Sequence, residues 1–256
     1  MPEALIKLQN VWKIYKLGKS VELPILRGVN LEVPYSGFVT IMGPSGSGKS
    51  TLMYMLGLLD TPSKGEIYFD GQDLSNFSED KLAEMRGKKI GFIFQQFNLL
   101  QNLTALENVM LPMIFSAQGG PASGWQDEDK RRERARQLLE MVNLGHRLNH
   151  KPMEMSGGEQ QRIAIARSLA NDPEILIADE PTGNLDSSTG KAVMEILKKL
   201  HEEQKKTIIV VTHDPNIANY SHNIIRIQDG QIASNHFREA DILWKTNGNN
   251  QNGQPE

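Results

Sequence analysis

The chain has no cysteine among its 256 residues, which excludes disulfides and thiolate metal sites and fits a reducing compartment. It has no apolar run approaching the roughly 18 residues that a membrane-spanning helix needs. No secretory leader is evident, because Met1-Pro2-Glu3 opens almost directly into a strand-like segment. Strong charge of either sign is also missing. A net charge of −3 and a pI near 6.1 give no electrostatic reason to expect nucleic acid as a partner. What remains, at 39% hydrophobic and 23% charged residues, reads as a globular cytosolic protein of one large or two modest domains.

The most informative segment is Gly43-Pro44-Ser45-Gly46-Ser47-Gly48-Lys49-Ser50, followed by Thr51. It matches G-x-x-x-x-G-K-[ST] and lies between the apolar run 38–42 and the apolar stretch 52–59, where a strand turns into a helix. Glycines allow the backbone to wrap so that successive N–H groups face phosphate oxygens, and the helix start adds its positive end. Lys49 is placed to reach the β- and γ-phosphates, and the Ser50 hydroxyl to take a position on Mg²⁺. A solvated lysine after a Gly/Ser-rich turn is the bland alternative, and the flanking strand and helix argue against it.

Around this motif the pattern alternates strand and helix. Near-alternating apolar residues predict strands over 5–15 and 25–33, with Glu22-Leu23-Pro24 in the loop between them. Further strands are expected over 65–69, 90–94, 175–178, 207–211 and 223–227, and a last one after the turn Asp229-Gly230. Ser78 reads as the N-cap of a short helix, and Thr104 to Glu107 has capping-box spacing. Residues 119–124 form a glycine-rich break, after which a charged helix runs over 127–142 with Ala135, Leu138, Leu139 and Val142 on its apolar face. Its basic residues are interleaved with acids, which favours a solvated face over a binding patch. Helices are expected over 157–171 and 187–203. Together these predict an α/β fold with a mostly parallel sheet covered on both faces, interrupted by a helical insertion at about 96–160. The Asn-, Gln- and Gly-rich residues 246–256 read as a disordered tail, leaving 1–245 as one domain.

A second acidic element should stand at the end of a buried strand, where it can face a metal. The run 175–180, ending Asp179-Glu180, supplies it: Asp179 to hold Mg²⁺, mainly through water, and Glu180 to polarise an attacking water as general base. The segment Ser156-Gly157-Gly158-Glu159 has capping-box spacing, so a capped helix is one reading. Two adjacent glycines weaken a helix start, and they make sense if a phosphate must approach the backbone closely.

The segments GPSGSGKST, SGGEQQR, ILIADEPTGNLD and VVTHD, in this order, resemble the nucleotide-binding subunit of an ABC transporter over about residues 5–232. The stretch at 90–112 is similar to the branch serving lipoprotein release, macrolide export and related mechanically coupled systems. The resemblance implies a P-loop nucleoside triphosphatase core, an N-terminal antiparallel β subdomain and an inserted α-helical subdomain. It implies ATP and Mg²⁺ as ligands, and an ATP-dependent homodimer in which Ser156, Gly157 and Gly158 meet the γ-phosphate bound by the partner's residues 43–51. Gln95 would complete the metal and water site, with Gln96 as the competing residue. His213 would hold the γ-phosphate and position Glu180, Asp186 would lie in the loop crossing the dimer interface, and Tyr15 would stack on adenine. Sheet packing is the alternative for Tyr15, and Trp12 is the competing aromatic. Met155 stands where the family usually has leucine, and Glu159 where glutamine is common.

A chain without a membrane span must pass its work to a membrane permease, which places it on the inner face of the cell membrane. Residues 96–104, with Phe97, Leu99, Leu100 and Leu103, are expected either to dock that partner or to pack on the protein's own helices. A DNA-maintenance ATPase of the coiled-coil class would need a long heptad insertion, which residues 96–154 lack. A tandem regulatory ATPase would need a second cassette, and a nucleotide-gated scaffold would not need Lys49, Asp179, Glu180 and His213 together.

Overall fold

The computed structural model describes residues 4–18, 21–118 and 124–237. The glycine-rich break lies mostly, and the C-terminal tail wholly, outside them. Strands β1 (Ala4–Leu17), β2 (Val21–Pro34), β4 (Lys64–Phe69) and β5 (Gln72–Asp73) form an antiparallel sheet in the order β2-β1-β4-β5. Glu22, Leu23 and Pro24 belong to β2 instead of a loop, opposite Lys16, Tyr15 and Ile14. The strand tolerates its proline because β2 is the sheet edge, where a missing N–H need not break a ladder.

The second sheet has the order β10-β9-β3-β8-β7-β6, made by β3 (Phe38–Met42), β6 (Ile90–Ile93), β7 (Ile175–Asp179), β8 (Thr207–Val211), β9 (Asn223–Gln228) and β10 (Gln231–Phe237). All pairings are parallel except the β9–β10 edge. Every residue of β3 and β8 is buried, as expected for parallel strands covered on both faces. Alternate residues feed two cores. Phe38, Leu176, Ala178, Ile208 and Val210 face the helical side, whereas Val39, Ile41, Ile177, Ile209 and Val211 face α1 (Lys49–Leu56) and the antiparallel sheet.

Helix α2 (Glu79–Lys89) starts on its Ser78 cap and leads into β6. Between β6 and β7 lie α3 (Ala105–Gln118), α4 (Glu128–Met141) and α5 (Gly157–Ser168); α6 (Ser187–Gln204) follows β7. The α3 capping box forms as its spacing implied, with Thr104 N–H donating to Glu107 Oε2 at 2.8 Å and Glu107 N–H to Thr104 Oγ1 at 3.2 Å. On α4, Ala135, Leu138 and Leu139 are buried. Of its basic side chains, Arg132 pairs with Glu128 and Arg136 with Glu133 and Glu140, while Arg131 and Arg134 donate to the carbonyls of Trp125 and Leu169. Among the described residues, no helix is long and apolar enough to cross a membrane.

Asn108 organises the loop before α3 and is wholly buried. Its amide donates to the carbonyls of Leu100, Leu103 and Thr104 at 3.0–3.2 Å and accepts from Leu100 N–H at 2.9 Å. This network turns Leu99 inward to the core while Leu100 stays about half exposed. Asn108→Ala is expected to cost about 2–4 kcal/mol in urea unfolding, since it strands buried backbone groups without partners.

Candidate active site

Because β3, β6, β7 and β8 run parallel, their C-terminal ends share one edge of the sheet. That edge is where open α/β sheets bind ligands. The loop 43–48 leaves β3 there. Gly46 and Gly48 take φ of 77° and 102°, in the left-handed region that favours glycine. A Cβ on Gly43 would collide with the Ile227 carbonyl oxygen and Ser47 Oγ, so close backbone approach fixes that glycine too. Helix α1 begins at Gly48 with no side-chain cap, and its leading N–H groups stay available to an anion. Pro44, Ser45 and Gly46 are exposed, Ser47 is buried, and Ser50 is exposed at the helix start. Lys49 Nζ donates to the carbonyls of Gly43 and Pro44, both at 2.8 Å, so the ammonium lies over its own loop.

Asp179 and Glu180 lie on the same edge, at the end of β7, with β8 between it and β3. Burial raises the Asp179 pKa, the neighbouring Glu180 charge adds to this, and Lys49 opposes it. A cation at this edge would relieve that cost. Among the described residues, no three His, Cys, Asp or Glu side chains cluster as a metal cage. Mg²⁺ does not require one, since it keeps several waters and binds through one or two carboxylates plus substrate phosphates. Asp179 with the Ser50 hydroxyl and the Gln95 amide is a donor set of that hard-oxygen kind.

Glu180 has a φ of 44°, an uncommon backbone state for a residue with a Cβ. Its N–H donates to Val211 O at 2.8 Å, tying the strained residue to β8. Three donors hold the carboxylate: Thr212 Oγ1 at 2.9 Å to Oε2, and His213 N–H at 3.1 Å and Nδ1 at 2.6 Å to Oε1. A carboxylate acceptor puts the proton on Nδ1. The ring is 77% exposed, so its far edge faces solvent at the site. Thr212 was not singled out from sequence; its only signal was its place before His213 at a strand end.

Gln95 follows β6 and donates to Asn184 Oδ1 at 3.3 Å, while Asn184 returns a bond to Gln95 O at 2.9 Å. Gln96 is exposed beside it, and no hydrogen bond from its side chain joins this exchange. Asp186 caps α6, accepting from the N–H groups of Ser188 and Thr189 and from Ser188 Oγ at 2.6 Å. Those bonds hold its carboxyl well below the usual range.

Tyr15 projects from β1 beside α1, about one-third exposed. Its hydroxyl donates to Asp60 Oδ2 at 3.1 Å, and Lys13 bonds Asp60 Oδ1 at 2.6 Å while lying 5.2 Å from the ring centre. Burial and Asp60 push the Tyr15 pKa up. Trp12 instead donates to Asn10 Oδ1 and packs beside Gly28.

The segment 156–158 does not join this cluster. Its neighbours are on the helical side. Ser156 and Glu159 form the capping box, and a Cβ on Gly158 would overlap Thr189 of α6. Packing therefore explains Gly158. Gly157 has only ordinary contacts with Leu185 and Phe97 at 3.4 Å and 3.7 Å, so nothing internal requires it to be glycine. Phe97 and Leu99 of the segment 96–104 pack on the protein's own core, which takes half of that apolar set away from any partner.

A groove of about 750 Å³ opens between α2, β6 and α3. The Phe92 and Phe94 rings stack 5.7 Å apart along it, and Phe115 is 66% exposed at its rim. Arg167 lines it as well, donating to Phe97 O at 2.8 Å and to Asn98 O, and burial lowers its pKa.

The ABC transporter family model matches residues 26–183. The uncharacterized ABC transporter ATP-binding protein MJ0796 of Methanocaldococcus jannaschii is 51% identical over 229 residues, covering 89% of this chain and 95% of that protein. The macrolide export ATP-binding/permease protein MacB of Syntrophobacter fumaroxidans is 49% identical over 89% of this chain and 31% of its own length. The lipoprotein-releasing system ATP-binding protein LolD 1 of Chlorobium chlorochromatii is 44% identical over 91% of this chain and 92% of its own length. A solved dimer of MJ0796 in a post-hydrolysis state, bound to ADP and Pi, superposes with a TM-score of 0.80 at 48% identity, covering 91% of this chain and 98% of that one.

Proposed function

This chain belongs to the ABC transporter family, in the branch of the lipoprotein-release and macrolide-export ATPases, and we propose that it hydrolyses ATP between two copies of itself to drive a membrane permease. Its role as the ATP-binding, ATP-hydrolysing subunit follows from the family. The residue assignments rest on one observation: Lys49, Asp179, Glu180 and His213 meet at one sheet edge, where Glu180 is held by three donors.

Residues 43–51 bind the α- and β-phosphates with main-chain N–H groups, and Lys49 moves from its loop carbonyls to the β/γ-phosphates. Ser50, Gln95 and Asp179 would hold Mg²⁺, which would supply neutralisation of the phosphate charge. Glu180 takes a proton from the attacking water, whose oxygen bonds the γ-phosphorus as the bond to the bridging oxygen breaks and ADP leaves. His213 keeps the carboxylate aimed. Its Nδ1–H is committed to Glu180, so Nε2 donates to a phosphate oxygen only when the ring is protonated. The partner's Ser156, Gly157 and Gly158 close on the γ-phosphate, Asp186 stabilises the loop at that seam, and Tyr15 stacks on adenine. No observation favours a DNA-maintenance or purely regulatory role.

Mechanical output leaves through the groove beside Phe115, which takes a cytoplasmic helix of the permease and puts the chain on the inner membrane face. The branch relationship supports export, extraction or mechanotransmission as the work done. Phe115→Asp is expected to weaken capture of the permease from detergent-solubilised membranes about 30-fold while ATP binding is retained. Undiminished capture would contradict this docking site.

A further inference from the structure

Glu159 places a carboxylate inside the helix start that carries Ser156, Gly157 and Gly158. Its Oε2 accepts from Ser156 N–H and Ser156 Oγ, both at 2.9 Å, and Ser156 Oγ accepts from Glu159 N–H at 3.3 Å. The single hydroxyl proton is therefore committed to a carboxylate. The Ser156 N–H bond, working against burial and helped by the charge of Arg147, keeps the Glu159 pKa below its usual value. A glutamine here would offer a similar acceptor with no charge. The carboxylate instead presents like charge to a triphosphate, an interaction that falls off slowly at a partly desolvated seam.

One cation answers it. Arg147 Nε lies 3.2 Å from Glu159 Oε1, with the Glu159 side chain only 15% exposed and the Arg147 side chain 34%. The other side of the guanidinium, Nη1, is 3.1 Å from His150 Nε2; since arginine has only donors, the imidazole nitrogen accepts. The backbone that carries Arg147 is pinned. Carbonyls of Leu148 and His150 accept the N–H groups of Leu106 and Ala105, in the first turn of α3.

We propose that Arg147 is a positioning residue of the γ-phosphate clamp, neutralising Glu159 and holding it in the capping geometry so that the Ser156–Gly158 amides meet the partner's ATP without an uncompensated charge behind them. This rests on the reading that residues 156–158 contact ATP bound by the other copy.

The test uses full-length protein carrying Glu180→Gln, titrated with Mg-ATP while sedimentation velocity follows the dimer. Arg147→Met is expected to raise the ATP concentration for half-dimerisation about ten-fold. In a Glu159→Gln background the same Arg147→Met change is expected to have no effect, since there is no charge left to neutralise. Arg147→Gln carries the same test should the methionine variant fold poorly. An unchanged titration for Arg147→Met, or an equal loss when Glu159 is already glutamine, would overturn the proposal. A Glu180→Gln parent that never dimerises with ATP would overturn the underlying reading along with it; a dimerising parent indifferent to Arg147 overturns this proposal alone.

Discussion

Glu180→Gln is expected to bind ATP as the parent does and to turn it over about 10²–10⁴ times more slowly, the usual loss when a general base is removed. The substitution keeps the side chain's shape and, with the amide oxygen at the Oε1 position, both bonds from His213, while the amide N–H₂ faces Thr212 Oγ1 and donates to it instead of accepting. What it removes is the capacity to take the proton of the attacking water. Binding and dimer closure should thus persist while hydrolysis stalls. Single-turnover assays separate the two, and parental hydrolysis by this variant would place the base elsewhere.

Lys49→Met is expected to fail at an earlier step. We assign its ammonium to the β/γ-phosphates, and its charge opposes the burial that raises the pKa of Asp179. Removing one such donor from a preorganised oxyanion site typically costs about 10²–10³ in rate, and here the donor also serves ground-state binding. Isothermal titration with Mg-ATP should show the loss as weakened affinity, unlike the Glu180 variant. The methionine retains the apolar stem, so thermal unfolding without nucleotide should barely change.

Features with local causes were legible in the sequence. The phosphate loop, the Ser78 cap and the two capping boxes depend on residues a few positions apart, and each forms where its spacing implies. Buried parallel strands also announced themselves as continuous apolar runs. Features that depend on contacts between distant segments were not legible. Thr212 holds Glu180 across a separation of 32 residues, and no local pattern marks such a pair. Gly158 is glycine because Thr189 of another helix leaves no room for a Cβ. Pro24 looked like a loop residue because propensity does not reveal that β2 is a sheet edge. The apolar segment 96–104 likewise divides between core and surface only once Asn108 has folded the loop over itself.

The head-to-tail site can be weighed directly by measuring the mass of the Glu180→Gln protein in solution, without nucleotide, with Mg-ADP and with Mg-ATP. The expected result is a monomer in the first two conditions and a dimer in the third, lost again when Ser156 is replaced by arginine. A monomer in Mg-ATP at concentrations that saturate binding would contradict the claim that two copies of this chain enclose the nucleotide between them.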